Sequence, residues 1–184
     1  PRNSITWSIR QKLHSYRTDP FYQHGFLIPR NHEQAMELDA KNGNTKWGDS
    51  EHLEISQIVD YSTFGDQGLH APTPKDHKKI TVHFAYAVKH DGRHKSRLVA
   101  GGHLTETPLD SVYSSVASIQ AIRIIMFLAE LNGLQTWNTD IGNAYLESYT
   151  QEKLYVVAGK ESASVGLEGH TLIVRRALYG LKSS

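Results

Sequence analysis

Two groups of residues in this chain could carry chemistry: an acid close to an aromatic ring, and a set of basic side chains. Asp140 stands just before a turn, in the segment TDIGNAYL that runs from Thr139 to Leu146. A carboxylate in that place can hold a metal ion. Tyr145 is expected at the start of a short helix, where its ring could form the floor of a small-molecule pocket. From this segment alone, Asp140 is more simply the N-cap of that helix.

Basic side chains cluster over residues 71 to 103, whereas acidic ones predominate over residues 31 to 66, so the net charge of +1 hides an uneven distribution. A basic cluster can contact phosphates, although a solvated charged face is the usual reason for one. Phosphoryl or nucleotidyl transfer needs anionic oxygens for a divalent metal and cations for the phosphates. Asp140 is the candidate anion, and Lys95 and Arg97 are the candidate cations. A two-metal site uses at least two carboxylates, with the ions about 4 Å apart, so Asp140 cannot be the whole site.

The bulk composition suits one domain or part of one. A chain of 184 residues with 39% hydrophobic residues can bury a core. The absence of cysteine excludes disulfides and thiolate chemistry. The sequence shows neither a signal peptide nor an apolar run long enough to span a bilayer, so we expect neither secretion nor membrane insertion. The start at Pro1 and the stop at Ser184, after an apolar turn-like run, predict a chain cut at both ends.

A β-hairpin is predicted to present the basic side chains. Residues 81 to 89 alternate strictly, with Val82, Phe84, Tyr86 and Val88 on one face. Asp91 and Gly92 follow, and a second run covers residues 95 to 100. A three-residue loop with a left-handed glycine would place Lys89, opposite Lys95, on one face together with Arg97. The apolar side chains would then share the other face: Phe84, Tyr86, Val88, Leu98 and Ala100.

The other predicted elements make a mixed α+β domain with a subdomain boundary near residues 66 to 76. Helices are expected over 32–41 and over about 47–60, the second capped by Thr45 and burying Leu53, Ile58 and Val59. A core helix is expected over 119–132, capped by Ser118 and stopped by Gly133. Strands are expected over 134–139, where the strand would deliver Asp140, and over 155–157 and 172–174.

Two common sites are not expected in this chain. His90 and His94 lie across a hairpin turn, and without cysteine or an HExxH pattern they do not predict a zinc site. The glycine pair at 101 and 102 lacks the GxxxxGK[ST] frame of a phosphate-binding loop.

Three segments of the chain together resemble the reverse transcriptases of Ty1/copia-type retrotransposons. Residues 94–103 (HKSRLVAGGH) are similar to the family's KARLVAxG segment, and residues 139–146 to its DVxNAFL motif. Residues 177–182 (ALYGLK) contain its YGLK box. Trp47 and Glu54 match the family's upstream helix more loosely. The resemblance covers roughly residues 31 to 184, with the motifs in the family's order.

The resemblance implies part of an RNA-directed DNA polymerase. Residues 1–32 would be a lead-in or linker, and residues 33–184 a partial reverse transcriptase domain. Within that domain, the fingers, with their β-hairpin, would cover about 45–118, and an incomplete palm about 119–184. Partners would be an RNA or DNA template, a primer and dNTPs, together with the integrase and RNase H parts of the same polyprotein. The protein would work inside the cell, in a cytoplasmic particle or the nucleus.

The resemblance also assigns roles to residues. Asp140 would be the catalytic and metal-binding aspartate, with the Ile141 carbonyl nearby, for two Mg²⁺ ions in the intact enzyme. Tyr145 would be the steric gate against a ribose 2′-hydroxyl, where most relatives carry Phe. Arg97, helped by Lys95 or Lys89, would contact the triphosphate. Gly180, between Tyr179 and Leu181, would begin the wall of the nucleotide site.

The chain departs from the family pattern at Ser183, where relatives have a glutamine expected to touch the nucleotide. The paired aspartates of the family would lie beyond Ser184, so we expect this chain to bind metal weakly and not to polymerise by itself. The alternative function is a decayed or repurposed relic that binds nucleic acid through the basic hairpin without catalysis.

Overall fold

The computed structural model describes residues 19–102, 105, 116–139 and 141–182. Helix α1 covers His32–Asn42, as predicted, and begins where the Asn31 side chain accepts a hydrogen bond from the Gln34 N–H. It ends at Gly43, whose left-handed backbone (φ 62°) suits glycine.

Helix α2 covers Lys46–Asp60, and a buried carboxylate from α1 caps it. Asp39, 6% exposed, accepts hydrogen bonds from the Trp47 and Gly48 N–H groups at 3.1 and 2.9 Å. The predicted cap by Thr45 is wrong, because the Thr45 side chain makes no capping hydrogen bond and its hydroxyl donates to Asp49 instead. The second helix is thus fixed to the first at its start.

The buried face of α2 differs from the predicted one. Ile58 is buried as expected, but Leu53 and Val59 are 59% and 43% exposed. Two carboxylates, Glu51 and Glu54, take inward positions instead. They can do so because each finds a hydrogen-bond donor on the hairpin, and a satisfied polar group costs far less to bury than an unsatisfied one.

The hairpin consists of β5 (Val82–Val88) and β6 (His94–Ala100), and its faces are those predicted from the sequence. Its apolar face is buried, from Val88 at 1% exposed to Tyr86 at 9%. Gly92 is left-handed (φ 81°), and the Lys89 N–H donates to the Arg93 carbonyl at 2.9 Å across a three-residue loop. The prediction that Lys89 lies opposite Lys95 is therefore wrong by two residues. A shift of two keeps every side chain on its face.

The remaining strands form a small hairpin and a four-stranded sheet. β1 (Tyr22–Gln23) pairs with β2 (Phe26–Leu27), and the Gln23 side chain accepts a hydrogen bond from the Val88 N–H at 3.0 Å. The sheet contains β3 (Phe64–Leu69), β4 (Lys78–Lys79), β7 (Leu154–Val157) and β8 (His170–Val174), in the order β3-β8-β7-β4. β4 and β7 are parallel and the other pairs antiparallel. The predictions of strands near 155–157 and 172–174 and of a mixed α and β fold are confirmed.

Helices α1 and α2 join the hairpin and the sheet through one hydrophobic core. The core draws on both helices, the hairpin, the sheet and the segment after β8, with the largest fully buried side chains at Ile28, Ile58, Ile80, Leu154 and Leu178. A 3₁₀ helix over Lys160–Val165 packs on α2.

Helix α3 covers Ile119–Leu131, and the Ser118 hydroxyl caps it by accepting from the Ala121 N–H, as predicted. The prediction that it is a core helix is wrong: among its residues Ala129 alone is buried, and Phe127 is 63% exposed. Residues 134–139 form no strand, and Trp137 there is 86% exposed. A strand needs a neighbouring strand, and no described strand pairs with this segment.

In the described part of the chain, no helix combines the length and apolar character needed to cross a bilayer.

Candidate functional site

Three side chains from distant parts of the sequence form one continuous contact. The guanidinium carbon of Arg97 lies 5.1 Å from the centre of the Tyr179 ring, in the range of a cation–π contact. The Tyr179 ring lies 4.9 Å from the Tyr145 ring at an interplanar angle of 57°. Arg97 and Tyr145 are both exposed. We call these three residues the Arg97–Tyr179–Tyr145 array.

The alternation of β6 directs Arg97 outward, because its neighbours Ser96 and Leu98 are 2% and 4% exposed. The strand is anchored from beneath, where the Leu98 N–H donates to the Glu54 carboxylate at 3.2 Å. Burial raises the pKa of Glu54, while the hydrogen bond from Leu98 and the positive charges of Lys95 and Arg97 act to lower it. The cationic face of the hairpin therefore has a buried carboxyl group one layer below it.

The segment that carries Tyr179 is joined to the end of the hairpin by its backbone. The Ala100 N–H donates to the Tyr179 carbonyl at 2.7 Å, and Val99 forms a parallel bridge with Tyr179. Gly180 is left-handed (φ 89°), and a Cβ there would meet the Ala100 carbonyl oxygen. A Cβ at Gly102 would overlap the Gly180 carbonyl oxygen. Both glycines are required by this close approach of two chains.

Burial reinforces this junction. Leu178 and Leu181, on either side of the array residue and its glycine, are 0% and 6% exposed. Burial also raises the pKa of Tyr179, and the charge of Arg97 opposes that effect. The phenol of Tyr179 therefore stays protonated at neutral pH, and Arg97 lies against a neutral ring.

Tyr145 lies on a short helix, α4 (Ala144–Glu147), as the sequence predicted. Asn143 occupies the N-cap position with a left-handed backbone (φ 54°) and no side-chain cap hydrogen bond. The interpretation of Asp140 as the residue at the N-cap is therefore wrong in position. Leu146, 2% exposed, anchors the helix, and Tyr145 is left 45% exposed beside Tyr179.

Most of the other predicted site residues lie within the described part of the chain. Asp140 lies outside the described residues, and Ile141 after it is 73% exposed. Lys89 is exposed at the end of β5, and Lys95 shares the face of Arg97 on β6. Of the predicted set, Arg97, Tyr145 and Gly180 meet at the array, with Gly180 adjoining Tyr179.

Metal-ligating side chains do not cluster in the described ranges, where no group of three or more His, Asp or Glu residues could hold a metal ion. The two turn histidines have separate surroundings: the His90 ring lies against His24, and the His94 ring against Trp47 and Phe26. Burial lowers the pKa of His94.

One residue near the array went unnoticed in the sequence. Arg176 donates from one guanidinium nitrogen to the carbonyls of Leu146 and Glu147, both at 3.1 Å, and so ties α4 to the segment of Tyr179. The sequence contains only a weak indication of this role, a pair of arginines immediately before the ALYGLK segment. Nothing in the local pattern connects that pair to α4.

The array can bind an anion beside a flat aromatic surface. The Arg97 guanidinium uses one face on Tyr179 and keeps donors for phosphate or carboxylate oxygens. The two tyrosine rings offer an apolar surface to a planar or ring-shaped ligand. This combination suits a nucleotide, because its phosphates are anionic and its sugar is a ring.

Comparison with known proteins identifies the family. Residues 70–184, more than half of the chain, match the model of the family described as "Reverse transcriptase (RNA-dependent DNA polymerase)". Two polyproteins of Saccharomyces cerevisiae (strain ATCC 204508 / S288c) are each 28% identical over 142 residues, or 76% of this chain: the Truncated transposon Ty1-A Gag-Pol polyprotein and the Transposon Ty1-DR4 Gag-Pol polyprotein.

The chain spans 12% and 9% of the lengths of these two relatives. No solved structure matches it. The match over residues 70–184 includes all three motifs and the three members of the array. The chain therefore belongs to the reverse transcriptase (RNA-dependent DNA polymerase) family, as a fragment of the Ty1/copia type.

Proposed function

We propose that this chain forms part of an RNA-directed DNA polymerase and that the Arg97–Tyr179–Tyr145 array receives the incoming dNTP. The observation that carries the proposal is the array itself. A hairpin cation, the ring of the YGLK segment and the predicted sugar gate lie in one chain of contacts, although 34 residues separate Tyr145 from Tyr179 and 48 separate it from Arg97.

In this proposal Arg97 contacts the triphosphate, with Lys95 on the same face and Lys89 at the strand end as further cations. Arginine suits this role because its planar fork can bind two phosphate oxygens at once. The guanidinium keeps its orientation through the ring beneath it, and β6 is held by the Glu54 hydrogen bond. Orientation of the phosphates before reaction is a large part of catalysis in phosphoryl transfer.

Tyr145 acts as the steric gate. Its ring would pack under the deoxyribose and leave no room for a 2′-hydroxyl, so ribonucleotides would be excluded. Tyr179 limits the movement of that ring from one side. Gly180 continues the wall, where the absence of a side chain permits the close approach to the hairpin.

Reverse transcriptases in general use divalent metal ions, and we propose Asp140 and the Ile141 carbonyl as ligands for Mg²⁺. When bound, the metal would neutralise charge on the phosphates. The described residues alone do not form a metal site. The roles proposed above for Arg97, Tyr145 and Gly180 therefore do not depend on a bound metal.

The hairpin and its helices, about residues 45–118, would be the fingers, and residues from about 119 the start of the palm. The partners would be an RNA or DNA template, a primer and dNTPs, and the other parts of a Gag-Pol polyprotein. A relic without catalysis would keep only the capacity to bind nucleic acid.

The test is primer extension by the full polyprotein reverse transcriptase that contains this chain, with dNTPs and with rNTPs. Asp140→Asn should abolish extension while template binding stays close to normal. Tyr145→Ala should admit ribonucleotides, whereas Tyr145→Phe, which keeps the ring, should still exclude them. Retained extension by D140N, or unchanged sugar discrimination by Y145A, would contradict the assignment.

The cation is tested by Arg97→Ala, which should raise the KM for dNTPs. Arg93→Ala is the matched control, because Arg93 is an exposed arginine of the same hairpin paired with Asp91 at its turn. An equal rise in KM for R97A and R93A would mean that the hairpin charge acts without a specific contact.

A further inference from the structure

We infer that Arg176 is the positioning residue of the sugar gate: it fixes the helix that carries Tyr145 and thereby sets the discrimination between deoxyribose and ribose. This inference rests on the proposed function of Tyr145. It concerns a residue that lies outside the array and that is not expected to touch the nucleotide.

Helix α4 is too short to hold itself in place. It contains four residues, Ala144–Glu147, and an isolated helix of that length is unstable in water. Within it, the Leu146 N–H reaches the Asn143 carbonyl at 2.8 Å, and the Ser148 N–H reaches the Tyr145 carbonyl at 3.3 Å. Its orientation must therefore come from contacts with the rest of the domain.

Arg176 supplies the polar part of those contacts at the C-terminal end of α4. Its Nη1 group donates to the carbonyl oxygens of Leu146 and Glu147, which lack partners inside so short a helix. A cation at this end also interacts favourably with the helix dipole. The guanidinium carbon lies 4.6 Å from the centre of the Tyr149 ring, so the side chain is held from a second direction.

The backbone beside Arg176 makes the same connection. Arg176 forms an antiparallel bridge with Tyr149, and the Ala177 N–H donates to the Ser148 carbonyl at 2.9 Å. Tyr179 follows three residues after Arg176, on the same short segment. One arginine thus links the helix of Tyr145 to the segment of Tyr179, and the two rings lie 4.9 Å apart.

The first experiment measures kcat/KM for a dNTP and for the matching rNTP with the full polyprotein reverse transcriptase. Arg176→Gln should lower the ratio of the two values by about tenfold, because charged hydrogen bonds to two helix carbonyls are lost. Arg176→Lys should keep much of the ratio, since the ammonium can reach one carbonyl. Arg175→Gln is the matched control, because the neighbouring Arg175 is exposed and lies over Gly65 instead.

A double-mutant cycle separates positioning from general damage. If Arg176 acts through Tyr145, R176Q should cause no further loss of discrimination in a Y145A background. An unchanged ratio in R176Q, an equal loss of kcat/KM for both sugars, or an additive loss in the double variant would overturn the inference. If R176Q does not fold, R176K carries the same comparison against wild type, with a smaller loss of discrimination expected and an unchanged ratio overturning the inference.

A second measurement on the 184-residue chain does not require polymerisation. Amide hydrogen exchange at Leu146 and Ser148 should accelerate by roughly tenfold in R176Q and stay unchanged in R175Q. If Y145A leaves sugar discrimination intact, the proposed gate fails, and this exchange experiment still decides whether Arg176 holds α4. Unchanged exchange in R176Q would refute that support.

Discussion

Two regions of this chain both contain many apolar residues, but one is buried in the fold and the other is exposed. The first, which we call the hairpin unit, consists of α1, α2, β5 and β6; it buries Trp47, Ile55 and Ile58 and also places three carboxylates inside. The second covers residues 116–139, where the almost wholly apolar α3 remains exposed. Burial here is decided by the partner that a side chain meets, and apolar character alone does not decide it.

The largest expected contrast is between two tryptophans. Trp47→Ala should lower the free energy of unfolding of the 184-residue chain by about 3–5 kcal/mol, because the ring is 2% exposed and packs edge-on against Tyr86 and His94. Trp137→Ala should change it by less than about 0.5 kcal/mol, since Trp137 is 86% exposed. Urea denaturation followed by circular dichroism measures both. Similar losses for the two variants would remove the contrast between the regions.

The next contrast concerns two left-handed glycines: Gly92 at the turn of the hairpin, and Gly180 in the segment that contacts the other end of the hairpin. Gly180→Ala should cost about 2–3 kcal/mol, because its Cβ would meet the Ala100 carbonyl oxygen as well as strain the backbone. Gly92→Ala, at the open hairpin turn, should cost roughly 1 kcal/mol, since only the backbone strain applies there. A G180A variant no less stable than G92A would show that the YGLK segment is not closely joined to the hairpin.

Much of this contrast could be predicted, and the part that could not has a physical reason. Strict alternation and the Asp91-Gly92 turn fixed the faces of the hairpin, since a strand has only two. The Ser118 cap and the apolar run fixed the start and length of α3, since both are local features. Neither feature contains information about what the helix packs against.

The inward carboxylates and the contacts of the array depend on distant partners. Glu51 is buried because the Tyr86 hydroxyl and the His32 ring both reach it, and Glu54 because of the Leu98 N–H. These partners lie 19 to 44 residues away along the chain. Helical periodicity instead selected Leu53 and Val59, which are exposed. The same limit applies to Arg176, whose carbonyl partners at Leu146 and Glu147 lie about 30 residues earlier.

Two helix caps extend the comparison to polar groups. Asp39→Ala should cost about 2 kcal/mol, because the N–H groups of Trp47 and Gly48 would lose their acceptor at a buried position. Ser118→Ala should cost about 1 kcal/mol or less. The loss should occur as local fraying of α3, because that helix packs little against the described residues. Thermal unfolding gives the first value and hydrogen exchange within α3 the second. Equal shifts in the global midpoint would indicate that α3 is coupled to the hairpin unit.

The smallest effect is a pH dependence that originates beneath the cationic face. Burial raises the pKa of Glu54 above its usual value of 4.5. The stability that a carboxyl with a raised pKa contributes is complete below the usual value and is lost as the pH rises through the raised one. Glu54→Gln keeps an acceptor for the Leu98 N–H but cannot ionise, so its stability relative to wild type should increase from pH 4 to pH 7.

The matched control is Glu37→Gln, an exposed glutamate of α1, which makes the same change in net charge. A parallel trend in E37Q would assign the pH dependence to total charge and not to burial. Arg97→Gln sharpens the test, because the positive charge of Arg97 acts to lower the pKa of Glu54. Removing that charge should raise the Glu54 pKa further, as followed by the NMR titration of its side-chain carboxyl. A titration unchanged in R97Q would mean that the exposed cation and the buried acid do not interact, and that β6 is held by the hydrogen bond alone.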